Sequence, residues 1–299
     1  MKILLGLVLG MAIGMGVVYW WPKKEVGVKP KEYPLLKYTI ENLGRRSYDS
    51  NIVIDEKVSD GVYKFHFESD KKLVTGLAHI PDGCGKCPVI AQFRGYAEVE
   101  GYESGYGTRH SAEAFAKAGF ISLAPDFLGY GGSASPSADI FEARFETYTT
   151  ALNLLAGIEK WEKTKSIGIW GHSNGGQIAL TVLEVKSYPA VLWAPVSAPF
   201  PYSILYYTDD GDKLLRRELA KFEEDYDTDL FSLTNYLDQI TAPVLVQQGS
   251  ADESVPVKWN RKLGERFEYA EYPGADHNLM PSWSEAVRRD VDFFDDNIR

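Results

Sequence analysis

The sequence predicts an α/β protein: a mostly parallel central sheet with helices on both faces, antiparallel N-terminal strands and a small cap insertion. Three observations lead there. From residue 87 onward, short apolar runs of strand length alternate with longer amphipathic runs, the pattern of a parallel sheet covered on both sides. Residues 52–80 read instead as successive strands separated by turn signals such as Asp60-Gly61. Residues 199–240 then break the alternation with a stretch rich in aromatic and acidic side chains. The chain has 299 residues, 44% hydrophobic and 25% charged, which is enough for one large core. Its net charge of -10 leaves no basic face to collect nucleic acid.

The N-terminus is unlike the rest. Residues 3–21, ILLGLVLGMAIGMGVVYWW, carry no charge, and as a helix they would rise about 28 Å, close to a bilayer core. Tyr19, Trp20 and Trp21 followed by Lys23 and Lys24 have the character of an interfacial belt and a polar stop. Residues 1–22 are therefore expected to be a membrane anchor, with a cleaved signal segment as the rival. Gly6, Gly10 and Gly14 share one helix face, where two copies could pair as a homodimer. Lysines 23, 24, 29 and 31 argue for a cytoplasmic domain and the signal-like start argues for export; the extracytoplasmic side is the expectation. Residues 23–36 read as a linker, and 37–299 as one domain.

Within that domain, IVIDEKV, VYKFHFES and KLVTGLAHIP are the antiparallel strands. Cys84 and Cys87 follow in DGCGKCP. No second Cys or His pair stands at zinc spacing, so they read as a turn between strands, reduced or closed by a small disulfide. CPVIAQFRG is a strand, SAEAFAKAGF a helix, FISLAPDF a strand and IFEARFETYTTALNLLAGI a long helix. KSIGIWG, AVLWAP, APVLVQQG and FEYAEY are further strands, with helices at GGQIALTVLEV and EAVRRDVDFFDDNI. In the inserted stretch, Phe200, Tyr202, Tyr206, Tyr207, Phe222, Tyr226, Phe231 and Tyr236 suit either a cap over a pocket or ordinary core packing. Its acids, such as Asp209, Asp210 and Glu223, read as a solvated helix face or as partners for a substrate amine.

The chemistry centres on GIWGHSNGGQIAL, residues 168–180. A strand ends, Ser173 stands between Gly171 and Gly175, and a helix begins. That is the context in which G-x-S-x-G lifts a serine out of a strained strand-to-helix turn; the pattern without partners is weak. A serine hydroxyl needs a base, ordinarily a histidine held by a carboxylate. Of five histidines only His277 follows Ser173, in the loop YPGADHNLMP. Asp252, after the strand APVLVQQG, is the expected acid, with Glu253 and Asp276 as rivals. The oxyanion of acyl transfer needs two N–H donors. Asn174 supplies one and Tyr96, in the loop RGYAE, the other, with the Tyr96 hydroxyl as a third candidate. His172 reads as a packed or hydrogen-bonding neighbour of the serine rather than a second base.

With these four features in place the chain resembles the α/β hydrolases, and more narrowly the catalytic domain of the prolyl oligopeptidase family. GHSNGG at 171–176, GSADESVP at 249–256 and GADHNL at 274–279 carry the resemblance, with APDFLGYGGS at 124–133 also similar. It extends over roughly residues 70–299 and implies Ser173, Asp252 and His277 as a triad acting through an acyl-enzyme on a short peptide or small ester. It implies no cofactor and no metal. Two departures stand out. Prolyl oligopeptidases usually carry a large propeller before this domain, and too little chain separates the anchor from the first matched strand to hold one. Arg94-Gly95 stands where many esterases have His-Gly. A carboxylesterase is therefore the alternative, and a catalytically dead, membrane-tethered binding module the distant one.

Overall fold

The computed structural model describes residues 31–209 and 211–299. The expected anchor at 1–22, its Gly6, Gly10 and Gly14 face and nearly all of the linker lie outside the described residues. Among those described, no helix is long and apolar enough to cross a membrane. The compact unit runs from Tyr33 to Arg299. The end of the expected linker belongs to it: Pro34–Tyr38 is a 3-10 turn whose Leu35 and Tyr38 are buried.

Nine strands of the described residues form one sheet: β1 (Val53–Ser59), β2 (Val62–Ser69), β3 (Lys72–His79), β4 (Cys87–Phe93), β5 (Ile121–Pro125), β6 (Thr164–His172), β7 (Ala190–Trp193), β8 (Val244–Gly249) and β9 (Glu268–Tyr272). Their spatial order is β1-β2-β3-β5-β4-β6-β7-β8-β9. The first three strands are antiparallel to their neighbours, and β4 through β9 run parallel in the sheet. The helices are α1 (Ile40–Arg45), α2 (Arg109–Lys117), α3 (Ile140–Lys160), α4 (Asn174–Leu183), α5 (Tyr202–Leu205), α6 (Lys213–Asp225), α7 (Val257–Leu263) and α8 (Trp283–Ile298). Every strand and helix assigned from the sequence is present; α1 and α7, and α5 and α6 of the insertion, are additional.

Side chains of one strand alternate between the two faces of a sheet, and the core divides accordingly. Ile169, Leu192 and Val246 pack with α3 and α4 on one face. Trp170, Val191 and Leu245 pack with α2 and α8 on the other. Both faces are dry, so the parallel strands are apolar throughout rather than alternating. One carboxyl lies in the second layer: Asp290 of α8 is fully buried and accepts from Nε1 of Trp170 at 3.2 Å, Nε1 of Trp193 at 3.0 Å and Nε2 of Gln247. Burial pushes its pKa well above the usual carboxylate range.

The insertion between β7 and β8 comprises α5, α6 and three 3-10 turns. Its aromatics divide between the two readings open at the sequence level. Phe200, Phe222 and Phe231 are core residues, ringed with Phe145. Tyr202, Tyr206 and Tyr207 are about half exposed and pack around Trp259 of α7. Cys84 and Cys87 are joined in a disulfide at the turn before β4.

Candidate active site

The centre of the site is the junction of β6 and α4. Ser173 adopts φ 56° and ψ -118°, a region that costs a non-glycine residue on the order of 1–3 kcal/mol and persists only where the surroundings impose it. The surroundings do so through close backbone approach. A Cβ on Gly175 would sit 1.9 Å from the Phe93 carbonyl oxygen, and one on Gly171 would sit 2.7 Å from the Gly175 carbonyl oxygen. Glycine at both positions lets the chain reverse within β6–α4 while β4 passes beside it.

His277 stands in the loop after β9. Its Nδ1 lies 2.8 Å from Oδ2 of Asp252. The Asp252 side chain is fully buried and its remaining acceptor positions are filled: Oδ1 accepts from the Ser254 and Val255 amides at 2.8 and 2.9 Å, and Oδ2 from Nε2 of Gln248 at 2.8 Å. Burial acts to raise the carboxyl pKa, but the His277 bond, the Val255 amide and the Gln248 amide outweigh it and hold the group below the usual range. An ionised carboxylate accepts only, so Nδ1 of His277 donates and Nε2 is left with a lone pair when the ring is neutral.

The rivals for the acid are placed elsewhere. Glu253 is exposed, and Asp276 Oδ1 accepts from the Asn278 and Met280 amides of its own loop.

A further layer supports the acid. Asn260 of α7 donates to Oε1 of Gln248 at 2.6 Å and accepts from the Ser197 hydroxyl at 2.7 Å. Ser197, Asn260, Gln248, Asp252 and His277 thus form one buried chain of hydrogen bonds. The sequence reading passed over Gln248 and Asn260; the one signal was a polar Gln247-Gln248 pair ending an otherwise apolar strand.

His172 sits against the outer side of this pair. Its ring centroid is 4.7 Å from that of His277, and Nε2 lies 3.0 Å from the His277 carbonyl oxygen. That oxygen only accepts, so Nε2 carries the proton. Desolvation, and secondarily the His277 ring, push the His172 pKa down to about 4.

The opposite side of Ser173 is walled by the loop after β4. A Cβ on Gly95 would lie 3.1 Å from Cβ of Ser173, so this backbone passes directly alongside the serine. Arg94 holds the loop: Nη1 donates to the Gly95 carbonyl at 2.9 Å and Nη2 to the Asp126 carbonyl at 3.0 Å, while the guanidinium lies 4.0 Å from the centroid of the Tyr130 ring. In a trans peptide the carbonyl and the following N–H point opposite ways, so fixing the Gly95 oxygen also fixes the Tyr96 N–H. Among the described residues neither that N–H nor the Asn174 N–H donates to a protein acceptor. Asn174 opens α4, where first-turn amides have no helical partner. The Tyr96 hydroxyl is engaged elsewhere, on Glu98 at 2.9 Å, and its side chain is largely exposed; the third donor considered from the sequence is not directed at the serine.

Ser173, Asn174, Tyr96 and His277 line one cavity of about 920 Å³, roofed by Tyr206 and Tyr207 of the insertion. Asp252 lies behind His277. The structure therefore brings together all five residues nominated from the sequence. Of the acids considered for the insertion, Asp209 and Glu223 are exposed and outside this lining, and Asp210 lies outside the described residues. A second cavity, about 710 Å³ and bounded by Trp170, Trp193 and Trp283, adjoins the first through His172 and Asn278. Among the described residues no cluster of His, Cys, Asp or Glu could hold a metal ion.

The fold is that of known hydrolases. Est1E from Butyrivibrio proteoclasticus, solved with ferulic acid bound, superposes with a TM-score of 0.61 at 16% identity over 77% of this chain and 98% of that one. The acetyl xylan esterase from Paenibacillus sp. R4 superposes with 0.62 at 17% identity, over 85% and 91% of the two chains. Acetyl xylan esterase 1 from Thermoanaerobacterium sp. JW/SL YS485 gives 0.61 at 14% identity, over 88% and 99%. Among curated proteins none is detectably similar in sequence. Residues 106–299 match the model of the prolyl oligopeptidase family, a span that holds the Ser173 turn, Asp252 and His277. On that match and this architecture, the chain is a serine hydrolase of the α/β hydrolase fold and belongs to the prolyl oligopeptidase family.

Proposed function

We propose that Ser173, His277 and Asp252 act as a catalytic triad that cleaves a small ester or a short peptide amide through an acyl-enzyme. The observation that carries this reading is the 2.8 Å bond between Asp252 and His277 Nδ1, which leaves Nε2 free as a base in the cavity that Ser173 also lines. The Ser173 hydroxyl attacks the carbonyl carbon and Nε2 of His277 takes its proton. The Asn174 and Tyr96 amides receive the oxyanion. The imidazolium returns its proton to the leaving alcohol or amine, and the acyl-enzyme is then hydrolysed by water through the same groups in reverse. Asp252 fixes the tautomer and stabilises the imidazolium.

The test is covalent labelling by a fluorophosphonate probe, compared with Ser173→Ala. Labelling at Ser173, with turnover reduced on the order of 10⁶-fold in the variant at unchanged circular dichroism, supports the triad. An unlabelled protein without turnover overturns it in favour of a binding module, and a variant that keeps more than a few per cent of activity overturns it by placing the nucleophile elsewhere. A panel of p-nitrophenyl esters and aminoacyl-anilides then separates ester from amide cleavage. For residues 1–22 the proposal remains a membrane anchor, on the strength of their uncharged length.

A further inference from the structure

Arg144 of α3 lines the same cavity as Ser173 and His277. A partly buried guanidinium is ordinarily matched by a carboxylate, because an unpaired charge is costly to remove from water. Arg144 has no such match: among the described residues it makes no ion pair. Its Nη2 donates to Oε1 of Gln177 on α4 at 2.5 Å, a neutral amide, and its Nε is shielded from water without an acceptor. Among the described residues the other groups within reach of its charge are neutral hydroxyls, that of Tyr148, which also bonds to it, and that of Tyr207. Glu184, seven residues after Gln177 and so on the same side of α4, does not neutralise it. Both Glu184 oxygens lack a hydrogen bond, and burial pushes that carboxyl well above its usual range.

The other charged groups on the cavity wall are otherwise occupied. Arg94 directs its terminal nitrogens to backbone carbonyls. Glu253 is exposed, and a solvated charge contributes little to recognition. Among the described residues both cations of this wall keep a shielded Nε without an acceptor, but Arg94 spends both terminal nitrogens on backbone carbonyls while Arg144 directs one to a neutral amide, so Arg144 is the better placed for bidentate capture of a planar anion.

We infer that Arg144 is a specificity residue that anchors a free carboxylate on the substrate, so that the preferred substrates are esters or amides bearing a second, ionised carboxyl group. The inference rests on the acyl-enzyme reading above and names its substrate class. The chain as a whole carries a net charge of -10, so its general field disfavours such substrates, and a preference for them has to arise locally.

The experiment uses two matched pairs of esters. In one, p-nitrophenyl hydrogen adipate is compared with its methyl ester, which places the carboxylate on the acyl side. In the other, 4-acetoxybenzoate is compared with its methyl ester, which places it on the leaving group. The readout is the ratio of kcat/KM for the anionic over the neutral member. In the wild type at least one pair gives a ratio above one, and Arg144→Ala lowers that ratio about 10²-fold, the scale of truncating one partner of a desolvated charge pair. Arg144→Lys recovers part of it. Arg144→Gln, which keeps an amide facing Gln177, takes the place of alanine if that variant does not fold. A wild-type ratio of one or less for both pairs overturns the inference without any variant, as does a ratio that survives removal of the charge. Either result is distinct from failure of the triad, in which neither neutral ester is turned over and Ser173 takes no label.

Discussion

Acidification should weaken this protein through His172 in a way that a single substitution can isolate. An unfolded-state histidine titrates near 6.5, whereas His172 in the fold is held down to about 4. Between those values the unfolded chain binds a proton that the folded one does not, so stability falls as pH drops through 6.5 and the loss levels off below about 4. The difference corresponds to about 3 kcal/mol in full, of which about 2 kcal/mol is lost between roughly pH 7.5 and pH 5. His172→Gln removes the titration while keeping an amide donor for the His277 carbonyl. His79, also lowered by burial, is common to both proteins and cancels in the comparison. Urea unfolding of the two proteins across this range should give curves that diverge, the wild type losing about 2 kcal/mol more than the variant by about pH 5. Parallel curves would show that His172 is not held neutral in the fold, and would refute the reasoning from its desolvation.

Three further outcomes are expected. Asp252→Asn should cost roughly 10⁴ in kcat by leaving His277 in the wrong tautomer, while Glu253→Gln costs far less; steady-state kinetics with the reverse ranking would move the acid by one residue. Gly175→Ala drives a Cβ to 1.9 Å from the Phe93 carbonyl and should destabilise by about 3 kcal/mol or more, whereas Gly44→Ala, in helix α1 with nothing within 4 Å, should stabilise by about 0.5–1 kcal/mol. Thermal melts giving both variants the same Tm would refute the crowding argument at the elbow. The full chain should sediment with membranes and begin at Met1 or Lys2; a mature N-terminus after residue 14 or 16 would establish cleavage instead of anchoring.

What the sequence determined by itself was whatever depends on near neighbours or on chain order. The apolar runs and their lengths placed the strands, because a strand buried on both faces must be apolar throughout. The glycines around Ser173 marked the elbow, because only glycine fits where Gly171, Gly175 and Phe93 crowd together. His277 was isolated by elimination, being the one histidine after Ser173. Tertiary structure decided what depends on residues distant in the chain. The insertion of β5 between β3 and β4 follows from how the crossovers pack, and no local pattern records it. The aromatics of 199–240 look alike in sequence, yet Phe200, Phe222 and Phe231 turn inward while Tyr206 and Tyr207 roof the cavity; the phenolic hydroxyl, which requires a polar partner or water, is consistent with that division. Arg144 lies in the middle of a long helix, in a stretch that reads as ordinary amphipathic sequence. Its meaning appears only when α3 and α4 pack together, the site closes over Ser173, and no carboxylate among the described residues meets its charge.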